Sequence, residues 1–368
     1  MAMKIAVLTS SRADFGIYLP LLNRLKSDSS FQLEIIAFGT HLSKFHGYTV
    51  DQIRESGFTT IHEITSLLTN DDEVAIATSF GLTVLKFADF WNNNQYDWVL
   101  CLGDRYEMAA AVQAGIPFRV RFAHLHGGET TLGAIDNIYR HQISSASQLH
   151  FPATEDFAER IKAITETSEN IFTVGSLSID ELESMDIPSE GDFRKKYQIN
   201  DEFALLTFHP ETVSPERNNE YARELLDALL NISEKISLVI TMPNADTFGS
   251  IFRRTLTKLN EKRLTQVKLI ENFGKLNYFA AMRSCKFLLG NTSSGIIEAA
   301  SFGKYVINVG DRQKGRAQSK NVINCPFDSL KIQNAVKEVS KLPAFTGENI
   351  YKKSGTADSI IKILKQYK

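Results

Sequence analysis

Ionisable and small hydroxyl side chains gather directly after several short apolar runs of the sequence, where a parallel sheet would present them at one edge. Ser10-Ser11-Arg12-Ala13-Asp14-Phe15-Gly16 follows the run Lys4 to Leu8; Arg12 can pair with a phosphate, and Gly16 lets a ligand approach the backbone at a helix start. An ordinary turn with a surface arginine has the same local sequence. Leu102-Gly103-Asp104-Arg105-Tyr106-Glu107 repeats the arrangement: Asp104 can transfer a proton or cap the next helix, and Arg105 can bind a diphosphate.

His124-Leu125-His126-Gly127-Gly128-Glu129, with Asp136, Arg140 and His141 just beyond, is the densest cluster, and strand alternation puts His124 and His126 on one face. His124, His126 and Glu129 are suitable metal ligands, but their spacing is not HExxH. Acid/base or substrate-positioning work ranks ahead of metal binding, and no metal is expected. In the second half, His209 of Phe208-His209-Pro210-Glu211-Thr212 leaves a strand-like run and can change protonation near neutral pH. Gly290-Asn291-Thr292-Ser293-Ser294-Gly295-Ile296-Ile297-Glu298 places the hydroxyls of Thr292, Ser293 and Ser294 at a helix start, to cap it or to leave N–H groups for phosphate oxygens. Glu298 then lies within reach of a ribose. The segment lacks the lysine of a P-loop. Gly310-Asp311-Arg312-Gln313-Lys314-Gly315-Arg316 adds three cations, as a diphosphate clamp or a solvated loop.

The elements that hold these groups follow from the hydrophobic pattern. The first half alternates apolar runs with amphipathic stretches, as βα units on a parallel sheet do. Predicted strands are Lys4 to Leu8, Gln32 to Phe38, Trp98 to Leu102 and Val120 to His124, and Ile17, Leu21, Leu22 and Leu25 form one face of the first helix. A second set, Phe203 to Phe208, Ser237 to Thr241, Val267 to Ile270, Lys286 to Leu289 and Tyr305 to Val309, follows the acidic stretch that ends at Pro188. The expected fold is α/β: two Rossmann-like doubly wound domains, residues 1–180 and 181–353, facing a cleft, with a helix at 354–368 returning to the first domain. The length of 368 residues suits two domains, since single cores stop growing near ~250–300 residues.

Lys and Arg number 41 against 43 Asp and Glu, a formal charge of −2 without the broad positive footprint of a duplex nucleic-acid binder. Apolar runs fall far short of the roughly 20 residues that cross a bilayer, and Met1-Ala2-Met3-Lys4-Ile5 carries no secretory pattern. A soluble cytoplasmic protein with neither nucleic acid nor membrane as partner is expected. Cys101, Cys285 and Cys325 lie far apart with no CxxC pair, which suits a reducing compartment and structural thiols.

Together, SRADFG at Ser11 to Gly16, LGDRYE at Leu102 to Glu107, HGGE at His126 to Glu129, IDNIYRH at Ile135 to His141, FHPET at Phe208 to Thr212, NTSSGIIE and GDRQKGR resemble a known family. It is that of the hydrolysing UDP-N-acetylglucosamine 2-epimerases of sialic-acid and related nonulosonic-acid biosynthesis. The blocks stand in that family's order over nearly the whole chain. The resemblance implies a glycosyltransferase-B-like fold and anti elimination of UDP from UDP-N-acetylglucosamine to 2-acetamidoglucal. Water then adds to give N-acetylmannosamine, with no cofactor. It implies a UDP site of Arg12, Gly16, Arg105, His209, Asn244, Thr292, Ser293, Ser294, Glu298 and Arg312, with Glu298 on the ribose. The catalytic candidates it implies are Asp104, His126, Glu129, Asp136 and His209, with Arg140 in support. Mammalian relatives carry HIEGGE where this chain has His124 to Glu129, which puts their catalytic glutamate on His126 and leaves that role to His126 or Glu129. A UDP-sugar substrate, UDP as product and a homodimer or homotetramer are implied as well. Competing readings are the same reaction on UDP-2,4-diacetamido-2,4,6-trideoxyglucose, a non-hydrolysing epimerase, a glycosyltransferase of the same fold, and a nucleotide-sugar sensor. The sensor would have no need of Asp104, Glu129 and Asp136.

Overall fold

Runs such as Ile5-Ala6-Val7-Leu8 and Val99-Leu100-Cys101-Leu102 carry no polar alternation, and each becomes a strand buried on both faces, as a parallel sheet covered by helices requires. The computed structural model describes every residue except Met1, Asp71, residues 243–248, Leu264 and Lys368. The chain divides into two compact units. The first comprises Met1–Glu129, Asp136–Glu181 and Tyr351–Lys368, and the second Thr130–Ile135 with Leu182–Ile350.

The first unit runs β1 (Met3–Thr9), α1 (Arg12–Ser27), β2 (Phe31–Phe38), α2 (Val50–Glu55), β3 (Ile61–Ile64), α3 (Glu73–Asn93), β4 (Trp98–Leu102), α4 (Tyr106–Gly115), β5 (Phe122–Leu125), α5 (Asp136–Ala146), β6 (Leu149–Phe151) and α6 (Glu155–Thr165). Its sheet has the order β3-β2-β1-β4-β5-β6, every pair parallel. The second unit runs α7 (Glu190–Tyr197), β7 (Phe203–Thr207), α8 (Asn218–Ile232), β8 (Ser237–Thr241), α9 (Gly249–Lys262), β9 (Val267–Ile270), α10 (Lys275–Ser284), β10 (Leu288–Gly290), α11 (Ser293–Ile297), β11 (Val306–Val309), β12 (Val322–Cys325) and α12 (Ser329–Val339). Its order, β12-β11-β10-β7-β8-β9, repeats the same winding, again all parallel. In each sheet the order reverses between two neighbours, β1 and β4 or β7 and β10. Ligands of doubly wound sheets bind at such switch points, beyond the carboxyl ends of the strands.

Leu21, Leu22 and Leu25 of α1 meet Ala357, Ile360 and Leu364 of the C-terminal helix Thr356–Gln366 in one core cluster. Each buried leucine contributes about 1.5–3 kcal/mol. The helix opens on Gly355, which has no side chain to cap it, and Asp180 supplies the acceptors instead, to Thr356 N at 3.2 Å and Ala357 N at 2.8 Å.

Three strands lie outside the sequence prediction. β3 carries His62 and Glu63 at a partly exposed sheet edge, β6 has 3 residues, and β12 is a 4-residue edge strand, all too short or too polar to stand out as apolar runs. The strand expected at Val120 to His124 is shifted to Phe122–Leu125. α3, with 21 residues, is long and apolar enough by length and composition to cross a membrane, against the expectation from apolar runs. In this fold Phe87 and Trp91 of α3 join the core beside the sheet, and Ser79 and Thr83 hydrogen-bond Leu68 N and Ser66.

Candidate active site

In the first unit the start of α1 is closed by its own side chain. Ser11 Oγ accepts the Asp14 amide at 3.3 Å, and the Asp14 carboxylate accepts Ser10 N at 2.9 Å and Ser11 N at 3.1 Å. Asp14 thus holds the two amides that precede the helix. Arg12 beside it is half buried, its pKa lowered by that burial, and forms no ion pair among the described residues. Gly16 lies inside α1, past its first turn.

β4 leaves its sheet through Gly103, at a φ of 79° that glycine adopts freely, and delivers Asp104 and Arg105. Arg105 turns back on buried Glu107, with bonds of 3.3 and 3.1 Å. Asp104 instead pairs with Arg140 of α5. Arg140 also reaches Glu129 Oε2 at 2.9 Å and the His126 carbonyl at 3.2 Å, and Glu129 Oε1 lies 2.8 Å from His126 Nδ1. The other ring nitrogen, Nε2, is 3.4 Å from Ser176 Oγ. The side chains of Arg140 and Glu129 are each 2% exposed while that of Asp104 is 25% exposed, so Asp104 is the more open carboxylate. Burial of Arg140 opposes its charge, and the carboxylates of Asp104 and Glu129 more than offset this, holding its pKa above the ordinary guanidinium value. Asp136 opens α5 four residues before Arg140, on the same helix face, and is half buried.

Both oxygens of Glu129 accept from this cluster, which makes it an orienting group for His126. A carboxylate accepts, so Nδ1 of His126 donates to it, and Nε2 faces the Ser176 hydroxyl. The strand ends at Leu125, and His126 has a φ of 59° in the left-handed region. That turn, and not strand alternation, directs the His126 ring. His124 stands apart from the cluster, fully buried, with Nε2 2.9 Å from the Gly103 carbonyl and Nδ1 3.0 Å from Ser144 Oγ. His141 is half buried, with its pKa lowered by burial.

In the second unit, His209 and Asn291 leave β7 and β10 side by side. Asn291 Oδ1 accepts His209 N at 2.8 Å and its Nδ2 donates to the His209 carbonyl at 2.9 Å. The Asn291 carbonyl accepts Gln313 Nε2 at 2.9 Å and Arg312 Nη1 at 3.4 Å. Asn291 therefore ties three of the predicted segments together. Thr292 caps α11 through Gly295 N and shares hydrogen bonds with Ser294, which also meets Tyr278 OH; Ser293 is exposed and Glu298 half buried at the helix end. Burial pushes the Tyr278 phenol up to about 12. Of the three cations after β11, Arg312 is half buried, Lys314 pairs with Asp311 at 3.5 Å and Arg316 is buried, so the segment is not a loop of three solvated cations. Glu211, buried, fixes this loop by accepting Asp311 N at 2.6 Å. Asn244 lies outside the described residues.

Sequence reasoning passed over Asn291, Glu211 and Ser176 as holders of the site. Asn291 and Glu211 sit inside the quoted blocks, and an amide or carboxylate directly after a strand was the available signal. Ser176 belongs to no such block. The three cysteines are buried, and burial raises Cys101 and Cys285 to about 12 and Cys325 to about 11, which makes them unreactive thiols. Among the described residues no group of three His, Cys, Asp or Glu is placed to hold a metal ion.

The sequence model of the UDP-N-acetylglucosamine 2-epimerase family matches residues 23–365. The GDP/UDP-N,N'-diacetylbacillosamine 2-epimerase (hydrolyzing) of Campylobacter jejuni is 34% identical, over 89% of this chain and 85% of that protein. The UDP-N,N'-diacetylbacillosamine 2-epimerase (hydrolyzing) of Legionella pneumophila is 32% identical, over 99% and 96%. Among solved structures, UDP-GlcNAc 2-epimerase from Neisseria meningitidis bound to UDP-GlcNAc superposes with a TM-score of 0.82 at 17% identity, covering 99% of this chain and 100% of that one, a likeness that establishes the two-domain α/β fold. With a family match along nearly its whole length and relatives of this identity over most of both chains, the protein belongs to the UDP-N-acetylglucosamine 2-epimerase family, in its hydrolysing branch, and is a UDP-sugar 2-epimerase.

Proposed function

We propose that the protein converts UDP-N-acetylglucosamine and water into N-acetylmannosamine and UDP. UDP leaves by anti elimination to 2-acetamidoglucal, and water then adds to C1 while C2 takes a proton on the opposite face. The observation that carries this reading is the linked set Asp104, Arg140, Glu129 and His126 at the exits of β4 and β5. Elimination needs a group to remove the C2 proton, and hydration needs one to return it and one to activate water. Asp104, the open carboxylate, and His126, through Nε2, are the proton-handling groups. Glu129 orients His126, Arg140 fixes both carboxylates, and Asp136 and His209 serve as further acid/base groups. Arg12, Gly16, Arg105, His209, Asn244, Thr292, Ser293, Ser294, Glu298 and Arg312 hold the nucleotide, with half-buried Arg12 and Arg312 as the cations for the departing diphosphate. The enzyme is cytoplasmic and a homo-oligomer, and it uses no cofactor.

A second reading keeps the chemistry and changes the sugar, to UDP-2,4-diacetamido-2,4,6-trideoxyglucose. The names of the Campylobacter and Legionella relatives favour it. Incubation with each sugar nucleotide in D2O, followed by NMR, separates the two. The first reading expects free N-acetylmannosamine carrying deuterium at C2, together with UDP. Turnover of the diacetamido sugar alone selects the second reading, and UDP-N-acetylmannosamine as product removes the hydrolytic step.

A further inference from the structure

We propose that His124 is a positioning residue for the proton-handling cluster: one neutral imidazole that braces the Gly103 carbonyl next to Asp104, the Gly127 turn between His126 and Glu129, and Ser144 one helical turn beyond Arg140. The proposal rests on the reading that Asp104, His126, Glu129 and Arg140 handle the protons.

His124 sits on β5 between Cys101 of β4 and His150 of β6, with no exposed surface. Its two ring nitrogens face partners of different kind. The Gly103 carbonyl, 2.9 Å from Nε2, has no hydrogen to give, so Nε2 carries the proton and donates. Nδ1 is then the acceptor, and the Ser144 hydroxyl, 3.0 Å away, donates to it. Ser144 follows Arg140 by four residues and lies on the same face of α5. Gly127 lies against the ring so closely that a Cβ there would stand 2.7 Å from Nδ1 and 3.0 Å from Ser144 Oγ. Only glycine lets that turn rest on the imidazole.

Each contact falls on backbone or helix that carries a member of the cluster. Gly103 is the left-handed turn before Asp104, Gly127 lies between His126 and Glu129, and α5 carries Asp136 and Arg140. His126 has a positive φ that a non-glycine residue adopts only at a cost, so its turn is not held by local preference alone. A ring bonded to the Gly103 carbonyl and to Ser144 of α5, with Gly127 packed against it, sets the position of Asp104 relative to Arg140 and to the turn of the His126–Glu129 pair. Displacement of a reacting group by about 1 Å costs on the order of a hundredfold in rate.

The test pairs turnover with a spectroscopic signature. Long-range proton–nitrogen NMR on wild-type protein with labelled histidine should show His124 protonated at Nε2 and bare at Nδ1. This pattern should persist at about pH 5, since burial lowers its pKa to about 3. His124→Phe keeps a ring without either hydrogen bond and should lower kcat about a hundredfold, with KM and UDP affinity unchanged. His124→Gln retains a donor for the Gly103 carbonyl and should recover about tenfold of that loss. Ser144→Ala should show a smaller fall in kcat, again at constant KM. A proton on Nδ1, or His124→Phe within about twofold of wild-type kcat, overturns the proposal. Should His124→Phe fail to fold, wild-type kcat in both His124→Gln and Ser144→Ala overturns it instead. Wild-type turnover in Asp104→Asn would bring down the proton-handling reading and leave the His124 tautomer as described, so the two failures are distinguishable.

Discussion

Glu129 gives one oxygen to His126 and the other to Arg140, both almost without solvent, and its removal leaves a buried guanidinium with less compensation. Glu129→Gln is expected to lower stability by about 3–5 kcal/mol, the cost of breaking a buried ion pair from one side, and to reduce turnover as His126 loses its charged partner. Urea midpoints and kcat on the same preparation check both; an unchanged midpoint would mean that Arg140 finds its compensation elsewhere. Asp104 is the more exposed partner of Arg140, and Asp104→Asn keeps its size while removing its proton-transfer capacity. Its kcat should fall by about 10²–10⁴-fold with UDP affinity by calorimetry nearly unchanged. Arg312→Ala removes a half-buried cation of the second unit and should weaken UDP binding by roughly ten- to a hundredfold. Equal UDP affinity in that variant would take Arg312 out of the nucleotide site.

At the scale of elements, the C-terminal helix depends on a carboxylate remote in sequence. Asp180→Ala leaves the amides of Thr356 and Ala357 without their acceptor, and should cost about 1–3 kcal/mol and open the helix to proteolysis. Proteolytic rates equal to wild type would show that the leucine contacts alone hold it. The helix was expected from the sequence, whereas its cap was not, since Asp180 lies far from Gly355 in sequence. The same division runs through both sheets. Central strands such as β1 and β4 announce themselves as unbroken apolar runs, while β3, β6 and β12 have too few residues, or too many polar ones, for their pattern to rise above that of loops. The exits of β1, β4, β5, β7, β10 and β11 were readable because polar residues there interrupt apolar runs. Which of them touch was not readable: the Asp104 to His126 chain and the knot around Asn291 are tertiary facts, and in Ser10 to Asp14 the local cap seats Asp14 on the amides of Ser10 and Ser11.

Across the whole molecule, three histidines of the first unit are buried with depressed pKa values, His41 and His150 at about 4 and His124 at about 3, each chiefly through burial. Their unfolded counterparts titrate near 6.5. Between those values the unfolded chain binds protons that the folded chain refuses, so the stabilisation is complete above about pH 6.5 and is lost as the pH falls toward 4 and then 3. Each histidine contributes a slope approaching about 1.4 kcal/mol per pH unit in that window. The first unit should therefore lose its fold on acidification before the second, as urea titrations at a series of pH values with a probe in each unit would show; simultaneous loss would contradict this. The closed start of α1 bears on how the enzyme meets its substrate in solution. Asp14 is already seated on the amides of Ser10 and Ser11, so in the proposed nucleotide site the charge offered to the ligand at this switch point is that of the Arg12 side chain. The net charge of −2 adds no attraction from afar. On the proposed nucleotide site, capture of the sugar nucleotide is a short-range encounter with half-buried Arg12 and Arg312: at about 0.1 M salt the screening distance is only ~10 Å, and KM should climb as salt is added while kcat holds steady.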